Sequence, residues 1–133
     1  GSLHIGWKGL FSGIIENFLN TVLSYNIKLE DLIFGLGPCI SKESFEVSEE
    51  FKNEFSSDKL IAKRFFVHNV EENSFYFDLK GYIKKKLNNN GVFNIDQSDD
   101  DTYKNKNQYF SYRYSSHEGL NDYGRMLTVI IKN

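Results

Sequence analysis

Cysteine, proline, methionine and tryptophan are each present only once in this 133-residue chain. The lone thiol, Cys39, excludes an internal disulfide and suits a reducing compartment, so a cytoplasmic placement is expected. No apolar run reaches the ~20 residues that a membrane span requires, so no membrane partner is expected. No secretory signal is visible, and the opening Gly1-Ser2, where a Met would stand, is expected of a trimmed chain. Charge of one sign is also lacking. A net charge of −2 and a pI near 5.9 argue against a nucleic-acid partner. The basic stretch Lys84-Lys85-Lys86 then reads as a solvated helix face.

Aromatic residues are plentiful. Phe 12 and Tyr 8 carry most of the 16% aromatic content, so the core is expected to be largely Phe and Tyr. The length is that of one domain with one core, expected over residues 1–133. Leu10, Phe11, Ile14, Ile15, Phe18, Leu19, Val22 and Leu23 repeat at helical spacing and predict one amphipathic helix that stops near Asn26. A strand is expected to end at residue 4, with Gly6-Trp7-Lys8-Gly9 as a turn.

Further along, Leu32 to Leu36 reads as a buried strand closed by Gly37-Pro38. Ser48 before Glu49 and Glu50 predicts a helix start running to about Phe55. Arg64 to Val70 and Ser74 to Phe77 predict a hairpin. Asp78 suits the cap of a helix over about Leu79 to Asn88, with Tyr82, Ile83 and Leu87 inward and Gly91 at its end. Val92 to Ile95 reads as a short strand and Gln97 to Asn107 as a polar loop. Tyr109 to Tyr112 and Met126 to Ile131 read as final strands. Helices and strands mix without regular alternation, which predicts an α+β fold.

His4-Ile5-Gly6-Trp7-Lys8-Gly9 sets a histidine and a lysine beside a helix start, where free N–H groups suit phosphate. A packing turn with His4 bound to a carbonyl accounts for the same residues. Other islands narrow the choice. Gly37-Pro38-Cys39-Ile40 precedes Phe45-Glu46-Val47; Phe77-Asp78-Leu79, Phe110-Ser111-Tyr112-Arg113 and Gly124-Arg125-Met126 follow. Together with His4-x-Gly-Trp-Lys-Gly and in this order, they resemble the laccase-domain (polyphenol-oxidase-like) family, its C-terminal part in particular.

The resemblance implies mixed β-sheet layers flanked by helices, with the N-terminal part of the family domain missing. It also implies a zinc-dependent purine nucleoside phosphorylase acting on adenosine, inosine and methylthioadenosine, with adenosine deamination as a further activity. In the family a histidine and a cysteine upstream of the motif bind zinc with the motif histidine, which His4 matches. The first two have no counterpart here, so the chain alone is expected to be metal-poor and inactive. Copper is disfavoured, because a multicopper site needs more than three His and one Cys. Lys8, Arg113 and Arg125 are the candidate anion contacts, a planar guanidinium suiting phosphate or a ribose hydroxyl. For the two arginines, a salt bridge to one of the many carboxylates is the alternative role.

Departures from the family pattern bear on substrate preference. Asp101-Thr102 stands where many members have Cys-Thr, and Tyr114 stands where a second arginine is usual. Cys39 reads as a structural thiol, His68 as solvent-facing or hydrogen-bonded, His117 as a surface loop residue and Asp99-Asp100-Asp101 as a hydrated loop. The reading of a different class is a non-catalytic fragment or degenerate domain that serves as an interaction module. A missing half would leave an apolar face, which favours a homodimer.

Overall fold

Gly13 divides the first helical stretch. In the computed structural model, which describes residues 1–55 and 63–131, the apolar stripe is carried by α1 (Trp7–Phe11) and α2 (Ile14–Ser24) rather than by one helix. Gly13 takes φ +78°, a left-handed conformation that stops α1, and its carbonyl accepts the Asn17 N–H to open α2. The apolar spacing hides this break, because residues on both sides still face the same core. The expected turn at Gly6 to Gly9 is the start of α1, and residues 1–4 form no strand. Asn26, at φ +59°, lies just beyond the end of α2.

A two-stranded parallel sheet pairs β1 (Ile33–Leu36) with β5 (Asn94–Gln97). β1 is not fully buried as expected, since Ile33 is 72% exposed. A second, antiparallel sheet has the order β2 (Glu46–Val47), β4 (Ser74–Phe77), β3 (Phe66–Asn69). Its β3–β4 hairpin is the one the sequence predicts. Residues Lys63–Phe65 enter it as a 3₁₀ turn. β5 begins two residues later than expected, because Val92 is sunk completely into the core.

Both expected caps form. The Ser48 hydroxyl accepts from Phe51 N at 3.2 Å and starts α3 (Glu49–Phe55). The Asp78 carboxylate accepts from Gly81 N at 2.9 Å and starts α4 (Leu79–Asn89), whose Tyr82, Ile83 and Leu87 point into the core. Gly91 follows α4 at φ +86°. Lys84 and Lys85 lie in solvent as expected, whereas Lys86 reaches across to Glu16 of α2 at 2.6 Å.

Aromatic rings fill the middle. Phe77, with no exposed surface, contacts Phe45, Phe51, Phe55, Phe66 and Tyr82 at centroid distances of 4.7–6.1 Å. Leu10, Ile15, Leu19, Leu87 and Val92 close the cluster from the helical side.

The C-terminal expectations are revised. Tyr112–His117 is a helix, α5, because the Ser111 hydroxyl accepts from Tyr114 N and caps it; no strand forms at 109–112. Residues 126–131 pair with no described strand. Leu127, Val129, Ile130 and Ile131 are 64–89% exposed. Among the described residues no helix is long and apolar enough to cross a membrane.

Candidate functional site

A cleft of about 840 Å³ is lined by the β2–α3 segment, the β3–β4 hairpin, α1 and α5. Its floor follows from strand geometry. β2 turns directly into α3, so Phe45, Val47 and Phe51 face inward while Glu46, Ser48 and Glu49 form a rim. The hairpin contributes His68 from β3 and Glu72, Asn73, Ser74 and Phe75 from its turn and β4. α1 adds Trp7, and α5 adds Arg113.

The aromatic walls hold each other edge to face. Trp7 meets Phe51 at 5.2 Å and 65°, and Phe45 meets Phe51 at 5.9 Å and 68°. His68 stacks on Phe75 at 4.6 Å, and the Lys52 ammonium lies 3.9 Å from the same ring. The Arg113 guanidinium lies 5.4 Å from the Phe45 ring and donates through Nη1 to the Glu46 carbonyl at 2.7 Å. Ser74 is nine-tenths buried. Its hydroxyl has no hydrogen-bond partner of ordinary geometry, only a weak interaction with the Tyr76 hydroxyl.

The candidate residues named from the sequence do not gather in one place. Arg113 lines the cleft, as does Trp7, the residue before Lys8. The Lys8 side chain is exposed, its ammonium 5.4 Å from the Trp7 ring. His4 is exposed on the extended run before α1 and is not part of the cleft wall. Arg125 lies outside the cleft. It stacks on Tyr123 at 3.9 Å, donates to the Tyr123 carbonyl and pairs with Asp122 at 3.6 Å. Phe45 and Glu46 lie in the Phe-Glu-Val island, whereas Ser74 carried only strand alternation as a signal and Glu72 only its place in the hairpin turn.

The acidic loop is better ordered than its composition suggests. Asp101 is 7% exposed and accepts from Ser41 Oγ at 2.7 Å, Ser44 Oγ at 2.5 Å and Tyr103 N at 2.8 Å. Burial by itself would raise its pKa, but these bonds outweigh it and hold the carboxyl below its ordinary range. Asp100 accepts from Tyr109 Oη at 2.9 Å and from Ser98 Oγ at 2.9 Å. Two of the three carboxylates therefore fasten loops together. Cys39 runs beside Asp101, and burial pushes its thiol up to about 11. His117 ends α5 instead of lying in a loop, with Nδ1 3.0 Å from Tyr103 Oη.

Metal binding requires several ligands around one point. Among the described residues no three His, Cys, Asp or Glu side chains are so placed. The residues described do not by themselves fit a zinc ion; His4 offers one imidazole.

Comparison with known proteins supplies the wider setting. A family model described as "Multi-copper polyphenol oxidoreductase laccase" matches residues 1–133. A Rickettsia prowazekii protein named purine nucleoside phosphorylase is 34% identical over 131 residues, covering 98% of this chain and 54% of that one. A Rickettsia conorii protein of the same name is 38% identical over 117 residues, covering 88% and 48%. The chain thus spans about half the length of the curated relatives it matches. A crystal structure of a Neisseria meningitidis protein superposes with a TM-score of 0.71 at 27% identity, over 84% of this chain and 44% of that one. The α+β arrangement of mixed sheets and flanking helices is the fold of that structural neighbour.

Proposed function

The chain belongs to the multi-copper polyphenol oxidoreductase laccase family, and on that footing we propose that it forms the C-terminal part of a purine nucleoside phosphorylase. Adenosine, inosine and methylthioadenosine are the proposed substrates, orthophosphate the co-substrate, and adenosine deamination a further activity. One observation carries this reading: relatives at 34% and 38% identity align over 98% and 88% of the chain and bear one enzyme name. The cleft supports it, with aromatic walls for a flat base and polar groups at the rim.

In phosphorolysis a phosphate oxygen forms a bond to ribose C1′ while the C1′–N9 bond breaks and the purine leaves with that electron pair. Positive charge builds on the sugar in between. The protein's share is to hold two reactants in line and to present charge where it develops. Lys8, Arg113 and Arg125 are the proposed anion contacts; one Arg113 N–H donates to the Glu46 carbonyl, and Arg125 pairs with Asp122. His4 is proposed as one ligand of a zinc ion, rather than copper, whose other ligands belong to a longer polypeptide. A cytoplasmic setting is part of the same reading.

The exposed run 126–131 favours a second reading, in which it is an interface between two copies of the chain. Sedimentation as a dimer would support it, and a monomer across the accessible concentration range would remove it.

The deciding experiment uses a protein that carries this chain at the length of its relatives. Phosphate-dependent release of hypoxanthine from inosine is expected, with zinc near one per chain and zinc loss on His4→Ala. Absence of phosphate-dependent release would overturn the reading.

A further inference from the structure

The chain is rich in asparagine, yet only Asn90 is followed by glycine. That pairing has chemistry of its own. Glycine carries no Cβ to shield its backbone nitrogen, so that nitrogen can reach the amide carbon of the preceding side chain. Asn90 stands exposed just past the last residue of α4, where water has free access to it.

The end of α4 is a latch built around this pair. Gly91 takes φ +86°, its N–H donates to the Asn88 carbonyl at 3.1 Å, and the Val92 N–H donates to the Leu87 carbonyl at 3.0 Å. These bonds form a Schellman arrangement, completed by the side chains of Leu87 and Val92, both sunk in the core. The Asn90 side-chain amide donates back to the Lys86 carbonyl at 2.8 Å. Both reacting groups are therefore occupied while the latch is closed. Beyond it, Val92 leads into β5, whose Asn94 lies opposite Ile33 of β1.

We propose that Asn90 is a site of spontaneous deamidation, gated by opening of the α4 end. The Gly91 nitrogen forms a bond to Asn90 Cγ and gives up its proton, while the Cγ–Nδ2 bond breaks and ammonia leaves. Water then opens the five-membered imide at either carbonyl. One opening gives an aspartate. The other gives an isoaspartate, in which the main chain runs on through the side-chain carbons. Water is the only co-reactant.

Neither product is neutral to the latch. An aspartate adds negative charge where the helix already ends negative. An isoaspartate lengthens the backbone by one methylene between Asn90 and Gly91, so the Val92 hydrogen bond and its buried side chain cannot both keep their places. The joint between α4 and β5 loosens. This chemistry needs no substrate and stands whether or not the chain is a phosphorylase.

Incubation of the chain in mildly alkaline buffer, followed by peptide mass mapping, is the test. Conversion is expected at Asn90 before any other asparagine, with the isoaspartate detected by enzymatic carboxyl methylation. The rate is expected to rise in urea below the unfolding transition, as the helix end frays, and further in the unfolded chain. Asn90→Asp is expected to lower the folded-to-unfolded ratio by about twofold to fivefold. The isoaspartate chain should lose more. Asn90→Gln should keep its stability through the same incubation, because its longer side chain must close a larger ring. Earlier conversion of another asparagine in the folded chain, or an Asn90 left intact in the unfolded chain, would overturn the site. A native rate equal to the unfolded rate, or one that rises only with global unfolding, would overturn the latch. An isoaspartate chain as stable as the parent would do the same.

Discussion

Arg113 donates through Nη1 to the carbonyl oxygen of Glu46 at 2.7 Å, joining α5 to β2 across 67 positions of sequence. The bond ties the Glu46 side of the cleft to α5, and the guanidinium lies 5.4 Å from the Phe45 ring. Lysine keeps the charge and loses both the fork and the stacking. Arg113→Lys is therefore expected to destabilise the chain by about 1 kcal/mol, read as a lower urea midpoint with an unchanged slope. A variant as stable as the parent would show that the contact is only a crossing.

Asp101 makes the chain sensitive to acid. Its carboxyl is held below the ordinary range by Ser44, Ser41 and Tyr103 against the opposing pull of burial. A depressed carboxyl contributes stability above its unfolded pKa, about 3.9, and the contribution is lost as pH falls through the folded value. Stability is thus expected to be level near neutrality in this respect and to decline below about pH 4. Asp101→Ala should lower stability by about 2–3 kcal/mol at pH 7, and by much less in strong acid. A loss independent of pH, followed by thermal melts, would refute the assignment.

Gly13 offers a test of the helix break. At φ +78° an alanine is strained, although its Cβ would meet nothing closer than Glu16 Oε2 at 3.7 Å. Gly13→Ala is expected to cost about 1–2 kcal/mol through the backbone alone. Were the segment one continuous helix, the same change would stabilise it. Thermal melts followed by circular dichroism separate the two outcomes by sign.

Cys39 is expected to be slow toward thiol reagents. Burial first, then the Asp101 and Asp78 carboxylates, push its thiol up to about 11 against the pull of Lys80. The reactive thiolate is scarce at neutral pH. Reaction with a disulfide reagent should remain slow at pH 7 and quicken as pH approaches that value, or on unfolding. Fast labelling of the native chain at neutral pH would contradict this.

Local chemistry was the most legible part of the sequence. Ser48 and Asp78 announce their helices because capping needs only the cap and the next three residues. The hairpin was readable from two aromatic runs and a polar turn. Gly13 was missed because apolar periodicity continues on both sides of it. Ser111 carried a cap signal too, but the β-favouring aromatics around it outweighed a single hydroxyl in the reading. Residues 126–131 have strand composition, yet a strand also needs an edge to pair with, and no described edge takes them. Asp101 looked hydrated because its partners, Ser41 and Ser44, lie 60 and 57 residues away. The candidate site followed the same rule. Trp7, Phe45, Glu46 and Arg113 stood in recognisable islands, whereas Ser74 acquires meaning only once the hairpin places it against α3.

The two sheets differ in how far apart their strands lie along the chain, and this sets an order of assembly. β3 and β4 are neighbours, closing through four residues. β1 and β5 pair in parallel with Ile33 opposite Asn94, so the whole span between them must already be gathered before their bonds can form. Loop closure delays such a pairing relative to a hairpin. The aromatic hairpin is therefore expected to form before the parallel pair, which has the longer loop to close.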